Sequence, residues 1–312
     1  GVQTCALPIW VAGGRIYGRG TADDKGPAVA ALYAMRAIRD LGIALRYNVR
    51  LILGTDEECG SSDIDYYYAR EPEAPVTISP DAEFPVINIE KGRLRGEMTA
   101  AWPQETCLPR IVSLRGGIKF NVVPDSAEAV VEGFETDELK IFMIQAEART
   151  GTRFSLAEKV GAQIVRATGR GAHAAAPESG INAITGLLDL LAALPLPDSR
   201  RARLVRELNR LLPHGDFSGR GLGVAMSDEL SGPLTLSFNL IGTGENVLTG
   251  VFDCRAPLCA NDGNVRYVAA AQLAAAGIIL ADLPMSPPHH VSADLPFVKT
   301  LLKCYEQYSG KA

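Results

Sequence analysis

Acidic side chains gather at three places in the first third of the sequence: Asp23-Asp24 in GRGTADDKG (18–26), Asp56-Glu57-Glu58 in GTDEECGSSD (54–63), and Asp81 in SPDAEFP (79–85). Each follows a stretch that reads as a strand. Taken singly, each is an ordinary turn or helix cap, because Asp beside Gly, Ser or Pro bonds readily to nearby backbone. Their recurrence at three successive strand ends points elsewhere. In an open parallel sheet the loops at the carboxyl ends of the strands share one rim. Carboxylates crowded there repel one another unless a cation neutralises them. Oxygen donors arriving from several loops suit a two-metal hydrolytic centre. Competing chemistries lack their residues. The sequence has no GxxxxGK phosphate loop, no well-placed GxGxxG, no GxSxG nucleophile turn, and no Cys close to a His.

The elements that would hold those loops alternate. Residues 15–17 predict a short strand, and Pro27 suits the first turn of the helix that follows. Val29, Leu32, Tyr33, Met35 and Ile38 then recur at helical spacing until Gly42. Residues 47–53 predict a buried strand, 61–70 a helix capped by Ser61 or Ser62, and 76–79 a further strand. Strand, helix, strand, helix, strand with short connections implies a mostly parallel sheet flanked by helices on both faces. From residue 93 the pattern becomes α+β. Strands are predicted at 93–101 and 126–135, with an antiparallel pair at 234–241 and 247–253 joined by GTGEN (242–246). Helices are predicted at 138–149, 182–194, 201–212 and 264–276. After a Pro-rich break, 295–305 predicts a helix that would rejoin the first domain. The expected organisation is therefore α/β, with residues 1–92 opening one domain, 93–284 inserted into it, and 285–312 returning to it.

Composition narrows the function classes. The chain has 312 residues, 47% hydrophobic and 21% charged, which fits two globular domains and excludes disorder. A net charge of −5 without a long basic run argues against nucleic acid as a partner. No run of about 18 apolar residues predicts a membrane span. The six cysteines form no CxxC, so a reducing, cytoplasmic setting is expected rather than a disulfide framework. The opening GVQTCALPIW has no basic n-region and is not read as a secretory leader.

The segments GRIYGRGTADDKGP (14–27), GTDEECGSSD (54–63) and SPDAEFPVINIEKG (79–92) resemble the metal-site blocks of the di-zinc family of aminopeptidases, carboxypeptidases and deacylases, and within it the PepV-like dipeptidases. RGGIKFNVVPD (115–125), GRGAHAAAPESGINA (169–183) and FDCRAP (252–257) resemble that family's inserted lid. The resemblance runs in order along nearly the whole chain. It implies two zinc ions bridged by Asp23, with Glu58 a ligand of one and Asp81 of the other. Glu57 would be the general base acting on the bridging water. Asn121, His173 and Arg255 would bind substrate from the lid, His173 also polarising the scissile carbonyl. The small side chains around His173 leave it room to reach.

Hydrolysis of dipeptides or similar short substrates by a metal-activated water is the activity implied. A deacylase of N-acyl-amino acids, of desuccinylase or deacetylase type, is the runner-up, because the same motifs serve both. The length of the insert favours the dipeptidase and a monomer. The family pattern also contains two histidine ligands, one in an HxD block before the first Asp and one near the C-terminus. The four histidines here are 173, 214, 289 and 290. None precedes Asp23, and His214 after LLP is expected at the surface. A chain truncated at both ends is therefore expected, with weak zinc binding, slow or no turnover and an exposed apolar face. An inactive fragment or non-catalytic remnant is the reading from another class, and a nucleotide-binding module the weakest.

Overall fold

Alternation of buried and open side chains governs the larger part of the molecule. Along Gly92–Ala101, Leu94, Met98 and Ala100 are buried while Arg93, Arg95, Glu97 and Thr99 lie on the opposite face. Val247–Ala256 pairs with it antiparallel along its full length. Phe252 sits directly across from Gly96, and its ring lies so close over that backbone that any side chain at 96 would collide with it. These strands belong to an eight-stranded antiparallel sheet. Its order is Ile278–Leu280, Gly92–Ala101, Val247–Ala256, Thr235–Thr243, Arg110–Gly116, Ser126–Glu132, Ala162–Thr168 and Arg153–Lys159.

The computed structural model describes residues 10–57, 60–81 and 83–311. They fall into two compact units: Gly1–Ile87 with Ser292–Ala312, and Asn88–Val291. The large sheet and its core form the second unit. The helices α3 (Thr136–Thr150), α4 (Ala183–Ala193), α5 (Arg200–Leu211) and α6 (Arg266–Ala275) belong to it. Helix α4 is apolar on nearly every side and buries Ile184, Leu187, Leu188, Leu190 and Leu191. Asn182 caps it, accepting the N–H groups of Ile184 and Thr185 at 3.0 and 3.1 Å and donating to the carbonyl of Phe238 at 2.8 Å. One residue therefore ends a loop, starts a helix and ties both to the sheet. Ser199 caps α5 through the Ala202 N–H.

The strands Arg110–Gly116, Arg153–Lys159 and Ala162–Thr168 were not expected from the sequence. The last two form a hairpin turning at Gly161, whose φ of +74° suits glycine. Their charged and polar residues mask the alternation because this hairpin ends the sheet and is covered less than the central strands.

In the first unit, Trp10–Ala12 and Arg15–Tyr17 make an antiparallel hairpin through Gly13-Gly14. Helices α1 (Lys25–Asp40) and α2 (Ser62–Tyr68) follow, with α7 (Pro296–Ser309) from the C-terminal segment. The strands expected at 47–53 and 76–79 have no ladder partner among the described residues. Val49, Leu53, Val76 and Ile78 stay more than half exposed. A parallel sheet needs helices laid on both faces to bury such runs, and α1 leaves its own apolar Val29, Leu32 and Tyr33 exposed. The chain as a whole is a mixed α/β fold, a large sheet with flanking helices.

Candidate functional site

Asn121, His173 and Arg255, the three residues expected to meet substrate, come together at one end of the large sheet. The loop leaving Arg110–Gly116 crosses the open face of the sheet, where Asn239, fully buried, donates its side-chain amide to the Phe120 carbonyl and accepts the Ser237 hydroxyl. This pins the backbone immediately before Asn121. Val122 and Val123 then pair with His173 and Ala172, and the Asn121 carbonyl accepts the Ala174 N–H at 3.0 Å. The Ala175 carbonyl in turn accepts the Thr235 hydroxyl at 3.4 Å, and Thr235 stands opposite Arg255 in the ladder. Backbone links thus run from Asn121 through His173 to Arg255.

The side chains of His173 and Arg255 are each engaged by neighbours. The His173 ring is exposed, and its Nδ1 accepts the Ala175 N–H at 3.1 Å. In the neutral imidazole this puts the proton on Nε2, a donor facing away from its own loop. Arg255 is mostly buried and donates its Nε to Asp253 Oδ2 at 2.9 Å. Asp253 is completely buried, and its other oxygen has no hydrogen-bond partner among the described residues. Cys254 between them points to the core, where burial and the Asp253 charge push its thiol far up and keep it protonated. Arg93 stands directly across the ladder from Arg255. The guanidinium carbons of Arg93 and Arg95 lie 5.6 and 4.6 Å from the centre of the Phe120 ring, and Arg95 is paired with Glu97 at 2.9 Å.

The acidic loops belong to the first unit. Asp23 is exposed, and Asp24 precedes α1 with one carboxylate oxygen enclosed and unpartnered among the described residues. Asp56 accepts the Ser62 N–H at 3.0 Å and the Ser62 hydroxyl at 2.6 Å, anchoring its loop to the start of α2. Asp63 accepts the Thr55 N–H at 2.5 Å, and this bond holds its carboxyl below the usual range. Glu57 and Asp81 are exposed, and Glu58 lies outside the described residues. Among the described residues no three His, Cys, Asp or Glu side chains stand together as a metal-binding group. A donor set for two zinc ions is therefore not formed among them.

A profile of the peptidase family M20/M25/M40 matches residues 7–312. The chain belongs to this family. Among M20-family relatives, YtjP of Bacillus subtilis (strain 168) is 36% identical over 305 residues, covering 96% of this chain and 64% of that protein. The Beta-Ala-Xaa dipeptidase of Lactobacillus delbrueckii subsp. lactis is 32% identical over 305 residues, covering 96% and 63%. The chain thus spans just under two thirds of the length of these relatives. Among solved structures, an aminoacylhistidine dipeptidase from Vibrio alginolyticus aligns with a TM-score of 0.44 at 18% identity, covering 97% of this chain and 67% of that one.

The remaining histidines of this M20-family chain have other settings. His214, expected at the surface, is instead half-buried behind α4, with Nδ1 2.9 Å from the Thr185 hydroxyl. Burial pushes its pKa down, opposed by hydrogen bonds to the backbone of Thr150 and Asn182 and by Asp189. His289 and His290 pair with Glu90 and Ile89 in a two-residue ladder. Neighbours in a strand point to opposite faces, so the two rings do not converge. Arg93, Asn239 and Asp253 escaped the sequence reading. The signal for Asp253 was present in FDCRAP, since residues two apart on a strand share a face with Arg255.

Proposed function

We propose that this M20-family protein is a metal-dependent hydrolase that cleaves the amide bond of dipeptides or similar short substrates. The reading rests on one arrangement: Asn121, His173 and Arg255 gathered at one end of the lid sheet, with Arg255 oriented by a buried carboxylate. Arg255 offers a planar fork to a substrate carboxylate. The Nε2–H of His173 donates to the scissile carbonyl oxygen as negative charge develops on it. The Asn121 amide adds a second polar contact. Glu57 takes a proton from the attacking water and returns it to the leaving amine. Asp23, Glu58 and Asp81 are the proposed metal residues and zinc the proposed ion. The name of the Lactobacillus relative supports a dipeptide substrate. We take the protein as a cytoplasmic monomer without nucleic acid or membrane partners; no helix among the described residues is long and apolar enough to cross a membrane.

Arg255 would grip the carboxylate of an N-acyl-amino acid equally well, so deacylation is the alternative to exclude. The test is a panel of dipeptides and N-acyl-amino acids supplied with divalent cations. Dipeptide cleavage is expected, with Glu57→Gln abolishing turnover while substrate still binds. Cleavage of N-acyl substrates alone would replace the dipeptidase reading. Full activity in Glu57→Gln would remove that residue from the base role.

A further inference from the structure

We propose that Arg93 and Arg255 form a two-guanidinium clamp for a single ligand carboxylate, with Asp253 as the positioning residue that aims Arg255. The inference deepens the proposed function, on which it rests for the carboxylate-bearing ligand, and adds two residues to it.

The ladder places Arg93 and Arg255 directly opposite each other on the open face of the sheet. Opposed residues in antiparallel strands have Cβ atoms about 4.5–5.5 Å apart, and like charges there repel. The charges around them do not cancel. Arg95 is paired with Glu97 and Arg255 with Asp253, whereas Arg93 has no carboxylate partner among the described residues. The cluster of Arg93, Arg95, Arg255, Glu97 and Asp253 therefore carries one uncompensated positive charge. One carboxylate neutralises it and relieves the repulsion between the two facing arginines.

The orientation of each group supports this division of labour. Asp253 engages the Nε of Arg255, which leaves the two terminal nitrogens of that fork for a ligand. Holding a carboxylate fully buried with one oxygen unpartnered is costly, and the return here is a fixed guanidinium. Arg93 is held differently, over the face of Phe120, whose carbonyl is in turn pinned by Asn239. Both forks are thus set before a ligand arrives. Thr235, the other cross-strand neighbour of Arg255, carries no charge to compete.

The test is titration of the full chain with butyrate and with butyramide, read by ligand proton NMR. This pair differs in charge and is not cleaved. Wild type should bind the acid at least about tenfold tighter than the amide, as expected for charge-assisted pairing. Arg93→Gln and Arg255→Gln should each remove most of that preference, and Arg93→Lys should keep part of it. Asp253→Asn should weaken acid binding less than Arg255→Gln does. Arg203→Gln, at a remote exposed ion pair, serves as control. If Arg93→Gln and Arg93→Lys bind butyrate like wild type while Arg255→Gln does not, the clamp is refuted and the single-arginine reading survives. If wild type shows no preference for the acid, both fall.

Discussion

Replacing Asn239 by Ala should uncouple the loop before Asn121 from the sheet and cost stability in a calculable way. Asn239 is completely buried, and its side chain makes two bonds, donating to the Phe120 carbonyl and accepting the Ser237 hydroxyl. A typical net loss is about 1 kcal/mol per hydrogen bond, and leaving a buried partner unsatisfied adds about 1–3 kcal/mol. Ser237 is 4% exposed and its hydroxyl has no other partner among the described residues, whereas the half-buried Phe120 carbonyl can turn toward water. Two bonds and one stranded hydroxyl sum to about 3–5 kcal/mol. Urea denaturation followed by the fluorescence of buried Trp102 reads this unit, and the midpoint should fall with little change in slope. Adding Ser237→Ala to Asn239→Ala removes the stranded hydroxyl and should restore about 1 kcal/mol. Amides of residues 118–121 should exchange faster in the single variant. A loss under 1 kcal/mol with unchanged exchange would refute the view that Asn239 sets the position of Asn121.

Two further outcomes are expected. Burial lowers the pKa of His214 in the folded protein below its ordinary 6.5, so the unfolded chain binds that proton more tightly. Stability from this group is complete above about 6.5 and declines as pH falls toward the lowered folded value; His214→Gln should flatten that slope between pH 7 and 5, and an unchanged slope would reject the assignment. Arg201 is 6% exposed and donates to the carbonyls of Pro103, Ile111 and Val112 at 2.7, 2.9 and 3.1 Å, with its guanidinium over Trp102. Arg201→Met strands those carbonyls and should cost about 3–5 kcal/mol by denaturation, against less than 1 if the bonds are dispensable.

Much of the second unit was legible because its central strands are half-buried and alternate cleanly, as Gly92–Ala101 does. The pair joined by GTGEN forms where turn chemistry placed it, now over Thr235–Thr243 and Val247–Ala256. Helices α4 and α5 form where helical spacing placed them, at 182–194 and 201–212, and the structure adds their caps, Asn182 and Ser199. The hairpin of Arg153–Lys159 and Ala162–Thr168 was hidden by its charges, which an end hairpin carries on exposed positions. In the first unit, β-branched and apolar runs at 47–53 and 76–79 promised strands, but a strand exists only where a neighbour pairs with it, and propensity does not contain that neighbour. At the candidate site, the family resemblance of GAHAAAP and FDCRAP is what singled out His173 and Arg255. Asp253 was readable from its two-residue spacing to Arg255, whereas Asn239 and Arg93 were invisible because their roles come from register and burial, which neither residue type nor spacing displays.

The position of Cys254 has a practical consequence. Its sulfur faces the packed interior, and its thiolate form is suppressed, while Cys107, Cys259 and Cys304 are exposed. Among the described residues, alkylating reagents will therefore tag those three sulfurs before Cys254, which they reach only when the strands at its flanks part. Its rate of tagging is a built-in clock for how often the floor beneath the arginines comes undone.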